Sequence, residues 1–214
     1  MTFLSDEAIL SSFEELISQD DIQFDKNGRP KQLQGSSYEM RLGKEVFLCG
    51  EKRLIRLGKE RFDVAIKPGD FAILLTYEEV IIPPRLMGFI TIRNKYKTMG
   101  LINISGFHVD PGFKGSLTFS VYNAGPGEII LRYKEPIFII FFALLTTECK
   151  KPYPKEQDHI PGDAMNKLTG KPVSPSDLET RVQHLENTSR IQWTLLATAT
   201  VGILLLVLKL IFSK

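Results

Sequence analysis

The chain has 214 residues, a length that holds one domain and an appendage. Its formal net charge is +2, with 27 Lys and Arg spread along the chain against 25 Asp and Glu, which excludes a polyanion-binding composition and disfavours a nucleic-acid partner. The two cysteines, Cys49 and Cys149, lack CxxC spacing or a nearby His cluster, so they read as apolar filler in a reducing compartment rather than as a zinc site or disulfide.

Ser5, followed by Asp6 and Glu7 and then by Ile9, Leu10, Phe13 and Leu16, predicts an N-capped amphipathic helix with acidic residues at its positive end. Acidic residues this early do not fit a signal peptide, so the folded part is expected in the cytosol. Residues 34–43 read QGSSYEMRLG, locally a strand in which Glu39 and Arg41 pair for structure. Short strands are then expected at 45–48, 61–66, 71–76, 87–92, 101–104, 117–122, 128–131 and 137–143, broken by Gly and Pro. That spacing argues for a mainly β sandwich or jelly-roll-like barrel. The apolar run 137–145 is too short to span a bilayer and suits a buried central strand. Between two strands lies RNKYKTMGL, beginning at Arg93, where Lys95 and Lys97 bring positive charge to a solvated turn or the start of a helix.

Residues 108–123, HVDPGFKGSLTFSVYN, join a turn to a strand. Asp110, Pro111 and Gly112 make the turn, because Pro fixes its φ and Gly accepts angles closed to other residues. Leu117, Phe119 and Val121 then alternate with Ser116, Thr118 and Ser120, the pattern of a half-buried strand. Asp110 is placed to meet a hydroxyl, a water or a metal, or else caps its own turn.

After Cys149 the character changes. Residues 151–175 read as an arm or linker rich in Pro, Gly, Lys and Asp. Ser176 with Glu179 makes a capping box, and Leu178, Val182 and Leu185 step by four and three through a short amphipathic or coiled-coil helix, 176–191. Residues 192–212 contain WTLLATATVGILLLVLKLIF, from Trp193 to Phe212, about the length needed to cross a bilayer, with Lys209 near enough to the end to snorkel. Trp193 suits the interface. The expectation is a tail-anchored, single-pass membrane protein with a cytosolic N-terminal domain, and Ala197, Thr198, Ala199, Thr200 and Gly202 leave room for close helix approach.

The motifs resemble the trimeric dCTP deaminase and dUTPase superfamily. Val109, Asp110, Pro111, Gly112, Phe113 and Gly115 match the deaminase turn, while Gln34, Ser37, Arg41, Leu42 and Gly43 match its Q-P-x-S-x-D-L-R-L-G stretch with Glu39 for Asp. Arg93, Gly100 and Leu101 match R-S-S-x-x-R-x-G-L, but Asn94, Lys95 and Thr98 depart from it. The LSDEAIL opening is similar to the first deaminase helix, and KKPYP, with Tyr153, is similar to the tail that closes over the nucleotide. The resemblance implies a distorted jelly-roll or β-barrel of the trimeric dUTPase-like type over 1–150, with an N-terminal helix, to which this chain adds the transmembrane helix.

By the same resemblance, Arg93, Asn94, Lys95, Lys97, Ser105, Val109, Asp110, Tyr122 and Tyr153 form the expected nucleotide site, with phosphates held across a subunit boundary. Ser120 stands where the deaminases carry their catalytic Glu. A serine hydroxyl has too high a pKa to serve unaided as the proton shuttle of hydrolytic deamination. The expected function is therefore binding of a pyrimidine deoxynucleotide by a membrane-anchored homotrimer with deaminase activity lost, a nucleotide sensor or membrane effector, for example in defence against phage. The alternative is a membrane-tethered hydrolase, dUTPase-like or a deaminase by an altered route, with Asp110 orienting water and Mg2+ on the nucleotide phosphates. No side chain is expected to ligate a metal directly.

Overall fold

The structure, a computed structural model, describes residues 2–19, 21–153, 155–167 and 175–212. It divides into two units, Met1–Pro172 and Val173–Lys214.

The first unit opens with β1 (Thr2–Phe3) and two short helices, α1 (Asp6–Ser11) and α2 (Phe13–Leu16). Ser5 caps α1 by accepting the Ala8 N–H at 3.4 Å, as the sequence predicts. The single expected helix is interrupted at Ser12, whose N–H still bonds to the Ile9 carbonyl while its own carbonyl starts α2 by accepting from Leu16. Ile9, Phe13 and Leu16 nonetheless point into one core, so the amphipathic pattern survives the break.

Next come β2 (Ile17–Ser18), β3 (Tyr38–Leu48), β4 (Arg53–Arg56), β5 (Asp63–Ile66), β6 (Phe71–Ile81) and β7 (Leu86–Ile92). Helix α3 (Asn94–Thr98) precedes β8 (Leu101–Asn103), β9 (His108–Val109), β10 (Phe113–Asn123), β11 (Ile129–Arg132) and β12 (Pro136–Leu144). Each expected strand has its counterpart. The stretch expected as an arm carries β13 (Lys155–Gln157) and α4 (Gly162–Lys167).

One curled sheet runs in the order β13-β10-β6-β3-β12-β7-β9, with β1, β2, β4 and β8 paired along it, and β5 and β11 form a separate ribbon. Strand β3 links the two layers, since its first residues pair with β12 and its later ones with β6. The changeover falls between Arg41 and Leu42, and at the next residue, Gly43, an added Cβ would lie 2.5 Å from the Thr76 carbonyl oxygen, so only glycine lets the strands approach. Between the layers Phe119 of β10 stacks on Phe138 of β12 with centroids 4.2 Å apart, both fully buried. Each contributes about 1.5–3 kcal/mol by leaving water.

The expected pairing of Glu39 with Arg41 is not what the structure shows. Arg41 reaches Glu78, Nε to Oε1 2.6 Å, and Asp21 at 3.1 Å, whereas Glu39 pairs with Arg93 at 2.8 Å. Non-local pairing of β3 with β6 and β12 decides which acid faces which base, and the motif alone does not carry that information.

The second unit is α5 (Pro175–Phe212), one continuous helix through both the expected amphipathic segment and the expected span. Its residues Thr180–Lys209 form a helix long and apolar enough to cross a membrane. The side chains of Ser176 and Glu179, the expected capping box, lie outside the described residues.

Candidate functional site

The turn between β9 and β10 builds the site. The Phe113 N–H closes it onto the Asp110 carbonyl at 3.2 Å, and Gly112 takes φ +94°. The chain returning after residue 150 passes over this turn, with the Tyr153 N–H donating to the Pro111 carbonyl at 2.7 Å. A Cβ on Gly112 would stand 2.8 Å from Pro152 Cβ, and one on Gly115 would stand 2.0 Å from the Gln157 carbonyl oxygen. Both motif glycines thus clear space for the returning segment. Strand β13 then runs parallel to Phe113–Gly115.

Beyond β13 the segment is pinned again. Buried Glu45 accepts the Ile160 N–H at 3.1 Å and faces His159 Nδ1 at 3.3 Å. The Ile160 side chain packs with Phe47, Cys49, Ile73 and Leu75.

Between turn, β10 and returning segment lies a cleft of about 270 Å³. Ile90, Phe113 and Leu117 supply apolar lining, and Ser105, His108, Asp110, Thr118, Tyr153 and Gln157 supply the polar groups. His108 Nε2 lies 3.6 Å from Asp110 Oδ1, both about half exposed. Gln157 Nε2 donates to Thr118 Oγ1 at 3.3 Å, and Ser105 Oγ donates to Asn103 Oδ1 at 2.6 Å. An aromatic face, a carboxamide, hydroxyls and one carboxylate over an apolar floor suit a polar planar ligand.

Ser105, Val109, Asp110 and Tyr153 of the expected site share this cleft. Ser120 lies one step beyond on the Thr118 face of β10, its carbonyl accepting the Ile104 N–H at 2.8 Å. Strand β10 carries no Asp or Glu. Tyr122 is set apart from the cleft, paired across the sheet with Phe71 and Ile102. The closing Asn123 is structural, since its buried amide donates to the carbonyls of Ile66 and Gly127 at 2.8 and 2.9 Å.

The expected phosphate residues lie on and before α3, away from this cleft. Arg93 pairs with Glu39 and donates to the Pro136 carbonyl at 3.2 Å, and Lys95 pairs with Glu135 at 2.8 Å. Asn94 and Lys97 are exposed. Burial alone would raise the Glu135 carboxyl, but the Lys95 hydrogen bond and charge hold it below its ordinary value. The sequence reading missed His108, Thr118 and Gln157. Position 108 had a local signal, being two residues before Asp110 on an extended segment, whereas Gln157 meets Thr118 only through the parallel pairing of distant strands.

The family model described as dCTP deaminase-like matches residues 3–145. The dCTP deaminase of Pyrococcus abyssi is 39% identical over 121 residues, covering 56% of this chain and 76% of that protein. That of Thermococcus sibiricus is 35% identical over 123 residues, covering 58% and 76%. In three dimensions the dCTP deaminase from Agrobacterium tumefaciens aligns with a TM-score of 0.54 at 15% identity, covering 67% of this chain and 49% of that one, a likeness of fold. On the family match over residues 3–145 and the similarity to these relatives, the chain belongs to the dCTP deaminase-like family.

Proposed function

We propose that this protein binds a pyrimidine deoxynucleotide at the Asp110 cleft without deaminating it, and that it does so as a membrane-anchored sensor or effector. The observation that carries this reading is the absence of any acid on β10, which leaves Asp110 the one carboxylate lining the cleft among the described residues. Hydrolytic deamination needs a group that takes a proton from water and gives it to the leaving amine. Ser120 does not titrate in the required range.

Binding is a different matter. Tyr153 offers an aromatic face to a base, the Gln157 carboxamide both donates and accepts at a pyrimidine edge, and Asp110 accepts from a sugar hydroxyl. The cations near α3 would serve phosphates of a nucleotide held by a neighbouring copy in a homotrimer, with exposed Lys97 reaching toward them and Arg93 and Lys95 exchanging their carboxylate partners. A Mg2+ ion arriving with the ligand would be held through its phosphate oxygens. Helix α5 supports the membrane assignment. An effector of this kind, with spans that answer to nucleotide, would suit a role such as defence against phage.

A second reading, a dUTPase-like hydrolase, is favoured by the His108–Asp110 pair, since an imidazole beside a carboxylate is a competent arrangement for activating water. Calorimetry with dCTP and dUTP, followed by product analysis with Mg2+ for wild type and Asp110→Ala, separates the two. Affinity without product, lost in Asp110→Ala, supports the sensor. Pyrophosphate release that disappears in the variant supports the hydrolase, and uridine nucleotide from dCTP overturns the assignment of Ser120.

A further inference from the structure

The charged first half of α5 presents an apolar seam. Helix α5 has 38 residues, about 57 Å at 1.5 Å per residue, whereas a hydrocarbon core of about 30 Å needs only about 20. The remainder, ahead of the apolar stretch, carries Arg181, His184, Glu186 and Arg190, polar and charged groups that a hydrocarbon core disfavours. In it Leu178, Val182 and Leu185 are 49%, 51% and 68% exposed. Steps of four and three place these three on one side of the helix.

Two observations say what covers that side. With Val182 and Leu185 on the seam, Arg181 and Glu186 flank it five residues apart. That is the spacing at which flanking residues of two parallel, in-register helices meet as opposite charges; antiparallel neighbours would face Arg181 with Arg181. Neither has an ion-pair partner among the described residues. The seam also continues through Ser189 to Gln192 at the edge of the apolar stretch. The hydroxyls of Thr188, Thr194, Thr198 and Thr200 all donate to carbonyls three or four residues back, so these polar groups are satisfied within the helix. The Gln192 carboxamide, at the edge where the helix passes from water to lipid, has no such partner among the described residues, and the matching amide of another copy satisfies it there.

We infer that α5 assembles in parallel with α5 of other copies of this chain, with Leu178, Val182 and Leu185 as the apolar seam, Arg181 against Glu186 setting direction and register, and Gln192 forming a polar layer where the bundle enters the bilayer. The membrane part of this inference rests on the anchored reading proposed above. Parallel order is also what spans entering one membrane from the same side require. Because 3.6 residues per turn drift from a seven-residue repeat, the bundle winds left-handed over the stalk.

The test is oxidative cross-linking of the full-length chain in liposomes, in a Cys149→Ser background that keeps buried Cys49. Val182→Cys and Leu185→Cys lie on the seam, and Gln183→Cys and Asn187→Cys face away from it. The expected result is severalfold more cross-linked product from the first two. In the Val182→Cys chain, Arg181→Glu or Glu186→Arg lowers the yield, and the double reversal restores it. Equal yields on both faces, no product from either seam position, or no rescue by the double reversal overturns the inference. Flotation of the same samples reports separately on the anchor: a chain left in the soluble pool ends the membrane reading, while the cross-linking pattern still decides the seam.

Discussion

Gly115 and Gln157 touch through backbone: a Cβ at position 115 would lie 2.0 Å from the Gln157 carbonyl oxygen. Gly115 also holds φ +127°, a region side chains resist. No rotamer relieves such a clash, so Gly115→Ala forces β13 off β10 and takes Gln157 and Tyr153 out of the cleft. Nucleotide affinity should fall by at least about tenfold, or 1.4 kcal/mol. Limited proteolysis should newly cut near residues 150–155. Gly127→Ala, where an added Cβ meets nothing within 4 Å, is the control expected to bind as wild type. Unchanged affinity in Gly115→Ala would remove the returning segment from the site.

Arg41 holds Glu78 inside the fold. The Glu78 side chain is fully buried, with its oxygens accepting from Arg41 Nε at 2.6 Å and from the Arg41 N–H at 2.7 Å. Burial pushes the Glu78 carboxyl upward, and the Arg41 contacts oppose it. Removing the guanidinium in Arg41→Met leaves that carboxyl unpaired, at a cost of about 3–5 kcal/mol. Thermal unfolding should drop by roughly 10 °C, at 2–4 °C per kcal/mol for a chain of this size. The double variant Arg41→Met/Glu78→Leu should recover most of the loss. If Arg41→Met melts like wild type, the pair contributes nothing.

Asp21 provides the acid-side test. Burial alone would raise its carboxyl, but the hydrogen bond from Lys134 and the charge of Arg41 outweigh it and place it below its ordinary value of 3.8. A carboxyl depressed in the fold binds fewer protons than in the unfolded chain, so its stabilisation is complete above that ordinary value and is lost as pH falls through the folded one. The melting temperature of wild type should therefore fall faster than that of Asp21→Asn below about pH 4, and the two should run parallel between about pH 5 and pH 7. Parallel curves down to about pH 2 would show that Asp21 is not coupled to folding.

The two cysteines should differ in reactivity. Cys49 is 3% exposed, and burial, with the charge of Asp70 adding to it, pushes its thiol up to about 11, while Cys149 is half-buried. The thiolate is the reactive species, so a maleimide at neutral pH should label Cys149 and spare Cys49 until the chain unfolds. Mass spectrometry after digestion reads the site. Because the fold favours the protonated Cys49 thiol, the stability it adds is intact below its ordinary value of 9.0 and declines as pH rises toward 11. Rapid labelling of Cys49 in the native chain would mean that the cluster around Ile160 opens.

What the chain determines by itself is local. Alternation such as Leu117, Phe119 and Val121 depends on one strand's own geometry, so the strands and the Asp110 turn could be read before any fold was known, as could the capping of α1 by Ser5 and the apolar length of α5. Glu39 with Arg93, Arg41 with Glu78, and Gln157 with Thr118 join residues 37 to 54 positions apart, and only the tertiary structure decided them. Their partners are set by strand register and by where glycines at 43, 112 and 115 let backbones approach. That is also why the arm looked structureless. Strand β13 is three residues long and becomes a strand only where β10 offers it an edge, because its hydrogen bonds lie between strands rather than within its own sequence.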